Sequence, residues 1–304
     1  MKHTKLDTHK RAVLQALFVT FLWSTSWVLI KIGLADIPAL TFAGLRYSLA
    51  FICLLAVMLR PANRVSLRRL TRRQWGLLVL LGVIYCAIVQ GAQFVGLAYL
   101  PAATASLLLN FTSIVVALMG VMWLGESPGL WGWMGTGLSA VGALIYFYPP
   151  QFPSAQVFGL AVVCVGVIAN AVSSVLGRYI NHHENIPALL VTTASMGTGG
   201  LLLLAAGGLW QGVPVIKPSG WAIIAWLALV NTAWAFYLWN LSLRSLSAVE
   251  SSVINNSMLI QIALLAWLIL GEELSLQKWG GMLLAGLGVM LVNLRGAPGR
   301  KRGD

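Results

Sequence analysis

Residues 124–143 read LGESPGLWGWMGTGLSAVGA, and residues 270–289 read LGEELSLQKWGGMLLAGLGV. Laid over each other, they pair Leu124-Gly125-Glu126 with Leu270-Gly271-Glu272, Trp133 with Trp279, Gly135 with Gly281 and Gly142 with Gly288. The same offset of 146 runs back without a gap to Trp75 and Trp221, passing Ala102 and Ala248, Ser106 and Ser252, and Asn110 and Asn256. Of the 69 positions paired in this way, 19 are identical. Apolar segments share Leu and Ala by composition alone, so the matched Trp, Glu, Asn and Gly carry the weight. Earlier in each half, Pro38-Ala39-Leu40 parallels Pro187-Ala188-Leu189, and Lys31 parallels Arg178. The chain is one unit used twice.

Composition says what kind of unit. The 304 residues are 59% hydrophobic and 9% charged, with a mean hydropathy of +0.84. A soluble domain carries about 25% charged residues to satisfy water over its surface. This chain cannot, so its main solvent is hydrocarbon. A spanning helix needs ~20 mostly apolar residues, and ten stretches approach that: 12–33, 38–59, 75–97, 101–124, 130–148, 157–178, 188–209, 220–242, 247–270 and 277–294. Pro38, Pro101, Pro149-Pro150, Pro187, Pro214 and Pro218 sit at their edges, where a missing N–H costs least. The runs do not alternate as lipid-facing barrel strands would. The predicted fold is an all-α integral membrane protein, with ten transmembrane helices arranged as two inverted five-helix repeats. The expected division is an N-terminal tail (1–11), a first repeat (12–148), a linker (149–156), a second repeat (157–294) and a C-terminal tail (295–304). Inversion follows because five is odd, so the second copy enters the membrane from the opposite side. Inverted repeats are a recurring transporter architecture, with the solute site near the midplane between the halves.

The formal charge of +12 would suit a nucleic-acid surface, but its placement does not. With the N-terminus cytoplasmic, 16 of the 20 Lys and Arg fall on the cytoplasmic side, including Arg60, Arg64, Arg68, Arg69, Arg72 and Arg73 in one loop. Lys217 and Lys278 fall outside, and Lys31 and Arg46 lie within spans. This is the positive-inside pattern of a multi-pass protein of a bacterial-type inner membrane, both termini inside. No nucleic-acid partner is expected. Trp75, Trp131, Trp133, Tyr146, Tyr148, Trp210, Trp221 and Trp279 lie near span ends, as interfacial belts require. Cys53, Cys86 and Cys164 fall in apolar stretches without paired spacing, which argues against a disulfide framework or zinc site. No cofactor or metal is expected. The first apolar run is too long for a signal-peptide core.

Several segments resemble the drug/metabolite transporter superfamily, in its EamA branch. They are Leu22-Trp23-Ser24-Thr25-Ser26-Trp27 with Lys31, Pro38 followed by Arg46-Tyr47, the Leu-Gly-Glu of each half with a Gly-rich last span, and Trp239-Asn240-Leu241-Ser242-Leu243 leading to Ser247-Ala248. The resemblance covers nearly the whole chain. It implies a ten-helix metabolite exporter, with bacterial exporters of aromatic and other amino acids closest in pattern. Many members carry a mid-helix proline before Leu-Gly-Glu. This chain has Thr112 and Met258 there, so the resemblance does not extend to a proline kink.

Polar groups in hydrocarbon must pair or face a cavity. Trp23, Trp27 and Lys31 recur on one helix face at i, i+4 and i+8, with Ser26 beside them. The third span offers Tyr85, Gln90 and Gln93, and its repeat partner offers Trp234, Tyr237 and Asn240. Asn110, Asn170, Ser174 and Asn256 complete the candidate cavity. Lys31 and Arg46 are candidate attractors of a substrate carboxylate. For Lys31 the competing role is snorkelling to the headgroups; for Arg46 it is pairing with Asp36 or helix-end carbonyls. Glu126 and Glu272 are expected to brace the starts of the fifth and tenth helices. Gly135, Ser139 and Ala143, with Gly281 and Ala285, give small-residue faces for packing within one molecule or between two, so either a monomer or a homodimer fits. The only carboxylate inside a span is Glu250, about a turn from the cytoplasmic end. The expectation is therefore export of a small solute, amino acids above all, by alternating access without an intramembrane proton relay. Efflux of organic cations would call for a buried carboxylate. A lipid-modifying membrane enzyme would need a catalytic constellation that the sequence lacks, and a channel would need a ring of identical filter groups.

Overall fold

The computed structural model describes residues 2–60, 70–124, 129–150, 153–184, 186–212, 214–243 and 245–295, with side chains for all of these except 2–8, 120–124, 181, 182, 240, 248, 249, 252, 294 and 295. Ten helical rods follow one another. They are α1 (Lys2–Gly33), α2 (Ala39–Met58), α3 in three joined pieces (Arg72–Leu81, Gly82–Val89, Gln90–Tyr99), α4 in two (Ala102–Asn110, Thr112–Leu124) and α5 (Gly129–Phe147). The second half repeats the pattern with α6 (Ser154–His183), α7 (Ala188–Trp210), α8 in three pieces (Pro218–Ala228, Leu229–Trp234, Ala235–Ser242), α9 in two (Ala248–Asn256, Met258–Leu270) and α10 (Leu276–Arg295). Among the described residues nine of these rods are long and apolar enough to cross a membrane. The tenth, α10, has 20 residues, but Gln277, Lys278 and Asn293 near its ends dilute its apolar character. Pro38, Pro101, Pro153 and Pro187 stand at the N-caps of α2, α4, α6 and α7, where the fixed proline φ starts a helix and the lost N–H is not needed.

The duplication reaches the irregularities of the backbone. The middle pieces of α3 and α8 are both π-helical, and an offset of 146 lays Gly82–Val89 on Ala228–Ala235. The breaks in α4 and α9 fall at Phe111 and Ser257, again 146 apart. Neither break has a proline. Instead the Thr112 hydroxyl donates to the Leu109 carbonyl at 2.7 Å and the Ser257 hydroxyl to the Ile254 carbonyl at 2.6 Å. Hydroxyls that take carbonyls from the helical ladder loosen and bend it, so a side chain does here what a proline would do.

The inversion is visible in how equivalent helices meet. A Cβ at Gly135 would lie 2.6 Å from the Gly288 carbonyl oxygen, and one at Gly281 2.7 Å from that of Gly142. Since Gly135 and Gly142 are the repeat partners of Gly281 and Gly288, each glycine faces the counterpart of the other. That is the signature of a two-fold axis relating antiparallel α5 and α10. The Ser139 hydroxyl donates to the Ala285 carbonyl at 3.0 Å in the same seam. The small-residue faces thus pack within one molecule. A second antiparallel pair, α2 and α7, follows the same rule, with Gly200 against Tyr47 and Ser48, Gly197 against Phe51 and Gly207 against Thr41. Where lipid supplies no hydrophobic drive between helices, such close backbone approach is what joins them.

Most of the expected belt aromatics are exposed, Trp210 at 80% and Tyr148 at 71% among them. Tyr146 is not: it is buried and shares a 2.9 Å hydrogen bond with Thr104. Cys86 is buried, Cys53 half-buried, and Cys164 exposed rather than packed in a helix contact.

Candidate functional site

Between the two halves lies a cavity of about 460 Å³, to which every rod except α5 contributes. Trp23, Ser26 and Trp27 come from α1, Arg46 and Tyr47 from α2, and Tyr85, Gln90 and Gln93 from α3. Ser106, Asn110, Thr112 and Ser113 of α4, Asn170 of α6, Asn231 and Thr232 of α8, Asn255 and Asn256 of α9 and Asn293 of α10 add to its polar lining. Leu109, Met196, Phe236, Met258 and Ile262 make it apolar elsewhere. An apolar wall with a few placed polar groups is the ordinary form of a small-molecule site.

Most of the polar groups are already tied. The Tyr47 hydroxyl donates to Gln90 Oε1 at 2.7 Å, and the Asn170 amide to the Thr112 hydroxyl at 3.2 Å. The Trp23 indole N–H donates to the Asn231 carbonyl at 3.0 Å, while its ring packs 5.3 Å from those of Phe236 and Trp239.

Arg46 differs. It is 6% exposed, and its Nε and Nη2 donate at 3.3 and 3.2 Å to one acceptor, the Thr232 hydroxyl. That hydroxyl passes its own proton to the Leu227 carbonyl at 2.8 Å, five residues back across the π turn. The guanidinium lies 5.2 Å from the Tyr47 ring and 6.0 Å from the Phe94 ring. It does not pair with Asp36, which is taken by Lys217 at 3.0 Å on the surface. No carboxylate is among the described lining residues. Among the described lining residues Arg46 carries the one formal charge.

Five expected site residues stand elsewhere or outside the description. Trp234 is exposed and packs against Phe18. Tyr237 is 65% exposed and lines a separate apolar cavity between α2, α7 and α8. Ser174 is exposed and returns its hydroxyl to the Asn170 carbonyl at 2.8 Å. The Asn240 side chain lies outside the described residues. Lys31 neither snorkels nor lines the cavity: its Nζ donates to the carbonyls of Leu97 and Leu100 at 2.6 and 2.7 Å, at the end of α3. Conversely, Tyr47, Asn231, Thr232, Ser113 and Asn293 line the cavity without having been singled out. A signal for two of them was available, since Asn231 and Thr232 are the repeat partners of Tyr85 and Cys86.

The α3–α4 turn shows how one end of the cavity is shut. Lys31 holds the last carbonyls of α3, and the Glu272 carboxylate accepts the N–H groups of Ala102 and, at 3.2 Å, Ala103. A cation at a helix C-terminus and an anion at an N-terminus both complement the helix dipole. Glu272 thus braces α4, not α10 as expected; its counterpart Glu126 lies outside the described residues. Beneath this clamp, Phe42, Phe94, Leu97 and Leu100 are fully buried, with the two phenyl rings edge-on at 5.2 Å. On the side of the chain termini the lining reaches Asn293, near the end of α10. Glu250 lies away from the cavity, in a capping box with Ser247 and an ion pair with His9 at 3.0 Å.

A hydrogen bond to a charged group contributes about 1.5–3 kcal/mol. A neutral one contributes about 0.5–1.5 kcal/mol, so Glu272→Gln, which keeps one acceptor and loses the charge, forfeits about 1–1.5 kcal/mol and is expected to favour opening of this end by about five- to twelvefold. The measurement is the rate at which native Cys86, in a Cys53→Ser, Cys164→Ser background, reacts with an impermeant thiol reagent applied from the face opposite the termini. An unchanged rate would remove the clamp.

Residues 10–148 match the EamA-like transporter family, and residues 157–294 match it again. The chain belongs to the EamA family. It is accordingly a transporter of the drug/metabolite transporter superfamily and a multi-pass membrane protein. An S-adenosylmethionine/S-adenosylhomocysteine transporter of Chlamydia trachomatis is 27% identical over 83% of this chain and 80% of its own length. A probable amino-acid metabolite efflux pump of Salmonella typhimurium is 25% identical over 88% of this chain and 76% of its own. A protein of known crystal structure shares the fold at a TM-score of 0.66 and 18% identity, over 93% of this chain and 97% of that one.

Proposed function

We propose that this EamA protein exports amino acids and similar small zwitterions, aromatic ones included, across a bacterial-type inner membrane. Both termini are cytoplasmic, and the cavity opens alternately to either side as one five-helix half rocks against the other. The observation that carries the reading is Arg46: a buried guanidinium with no carboxylate partner among the described residues, in one cavity with Trp23, Trp27 and Tyr47. A charge is costly to hold in a membrane interior unless something pairs with it, and a planar guanidinium matches a carboxylate. The aromatic walls suit an apolar side chain. The Salmonella relative, a probable amino-acid metabolite efflux pump, supports the same class. An organic cation fits poorly, because the described lining offers it no counter-charge.

The cavity's described lining also holds no His, Asp or Glu, which supports transport down the solute gradient without a proton relay. The protein acts as a carrier, not an enzyme, and needs no cofactor. Counterflow of labelled phenylalanine into liposomes loaded with test solutes is the experiment. Amino acids are expected to drive it, phenethylamine and quaternary amines are not, and an imposed pH gradient at zero voltage is expected to leave it unchanged. Counterflow driven best by amines lacking a carboxylate would overturn the substrate class. An obligatory pH gradient would overturn the uncoupled mechanism.

A further inference from the structure

We propose that Asn231 receives the ammonium group of an α-amino acid whose carboxylate rests on Arg46. This builds on the reading of Arg46 above. Asn231 sits in the π turn of α8, next in sequence to the Thr232 that anchors the guanidinium, and it lines the same cavity. Its backbone carbonyl is held by Trp23. Its side-chain nitrogen is committed on the α1 side, donating to the Leu22 carbonyl, to Ser26 Oγ at 2.7 Å and to Thr25 Oγ1 at 3.3 Å.

A carbonyl can only accept, so the amide orientation is fixed: turning it over would set Oδ1 against the Leu22 oxygen. Oδ1 is thereby left fully buried with no hydrogen-bond partner, in a side chain that is 0% exposed. Buried acceptors are seldom left unpaired. This one belongs to a residue of the cavity lining, next in sequence to the partner of the only cation among the described lining residues. An unpaired acceptor beside a cation free of carboxylates is the complement of a zwitterion: the carboxylate takes the Arg46 donors and the ammonium donates to Oδ1. The π turn makes the arrangement possible, because its extra residue brings Asn231 and Thr232 inward while Thr232 returns its proton to Leu227.

The test compares three solutes of one side chain, phenylalanine, 3-phenylpropionate and phenethylamine, as competitors of phenylalanine counterflow by the full-length protein in liposomes. The wild-type protein is expected to prefer phenylalanine over 3-phenylpropionate by tenfold or more, because the desamino acid leaves Oδ1 unpaired. In Asn231→Leu that ratio is expected to fall to about one, with 3-phenylpropionate binding retained. If Asn231→Leu does not fold, Asn231→Ser serves, since its hydroxyl can still donate on the α1 side while the Oδ1 acceptor is removed; there too the ratio is expected to fall toward one. A wild-type ratio near one, or a high ratio unmoved by either variant, overturns the assignment. Failure of the Arg46 reading looks different: phenethylamine would then compete as well as phenylalanine.

Discussion

Arg46→Gln is expected to cut the transport efficiency for phenylalanine by about 30- to 4,000-fold while leaving folded yield near that of the wild type. The range follows from the 2–5 kcal/mol by which truncating one partner of a buried, hydrogen-bonded charge pair weakens binding, at tenfold per 1.4 kcal/mol. Folding is spared because, among the described residues, the guanidinium hydrogen-bonds only to the Thr232 hydroxyl, and glutamine can meet that hydroxyl. Removing a buried charge that has no carboxylate partner also relieves the empty protein of a desolvation cost. Arg46→Lys is the informative intermediate. It keeps the charge but loses the planar fork, so a loss of about tenfold is expected. Uptake of phenethylamine, which has no carboxylate to lose, is expected to fall no further. The check is initial rates over a range of solute concentrations in liposomes of matched protein content. Wild-type efficiency in Arg46→Gln would sink the idea that this residue receives the solute.

The sequence-derived candidates that reached the cavity did so for one physical reason. Trp23, Ser26, Trp27, Tyr85, Gln90, Gln93, Asn110, Asn170 and Asn256 are large polar or aromatic groups at mid-depth, where lipid is the worse alternative, and all line one space. Trp234 and Tyr237 were chosen by residue type and span alone, and both are exposed. A π turn takes in an extra residue, so a face projected at 3.6 residues per turn across Leu229–Trp234 arrives on the wrong side. Asn231 and Thr232 lie in that turn and line the cavity, which composition could not reveal but the repeat register could have suggested. Glu272 shows another limit. Attraction of a carboxylate to a helix N-terminus was the right physics, yet two N-termini compete for it, and which one lies nearer is a tertiary fact. Lys31 follows the same logic at the opposite pole of a dipole, finding carbonyls at the end of α3 before it could reach headgroups.

The duplicated register itself can be tested through packing, and the expected result is severe. Gly288→Leu should destabilise the folded protein by more than the 1–3 kcal/mol usual for overpacking. Even a single Cβ there would meet the Ser139 hydroxyl and stand 2.5 Å from both the Gly135 carbonyl oxygen and the Ser139 nitrogen. Backbone cannot rotate away as a side chain can, so α5 and α10 must separate and the Ser139–Ala285 hydrogen bond is lost. Because the two helices are repeat partners across a pseudo-two-fold axis, Gly142→Leu is expected to do comparable damage. A Cβ at Gly142 would lie 2.6 Å from the Gly281 carbonyl oxygen and 2.8 Å from the Ala285 Cα. Gly137→Leu, on α5 with nothing within 4 Å, is the control and should be neutral. Thermal unfolding of the three variants in one detergent makes the comparison. Since α5 contributes nothing to the cavity wall, whatever fraction of each variant survives should keep the solute preference of the parent. Damage from Gly288→Leu without matching damage from Gly142→Leu would mean that the seam is not built from one face used twice.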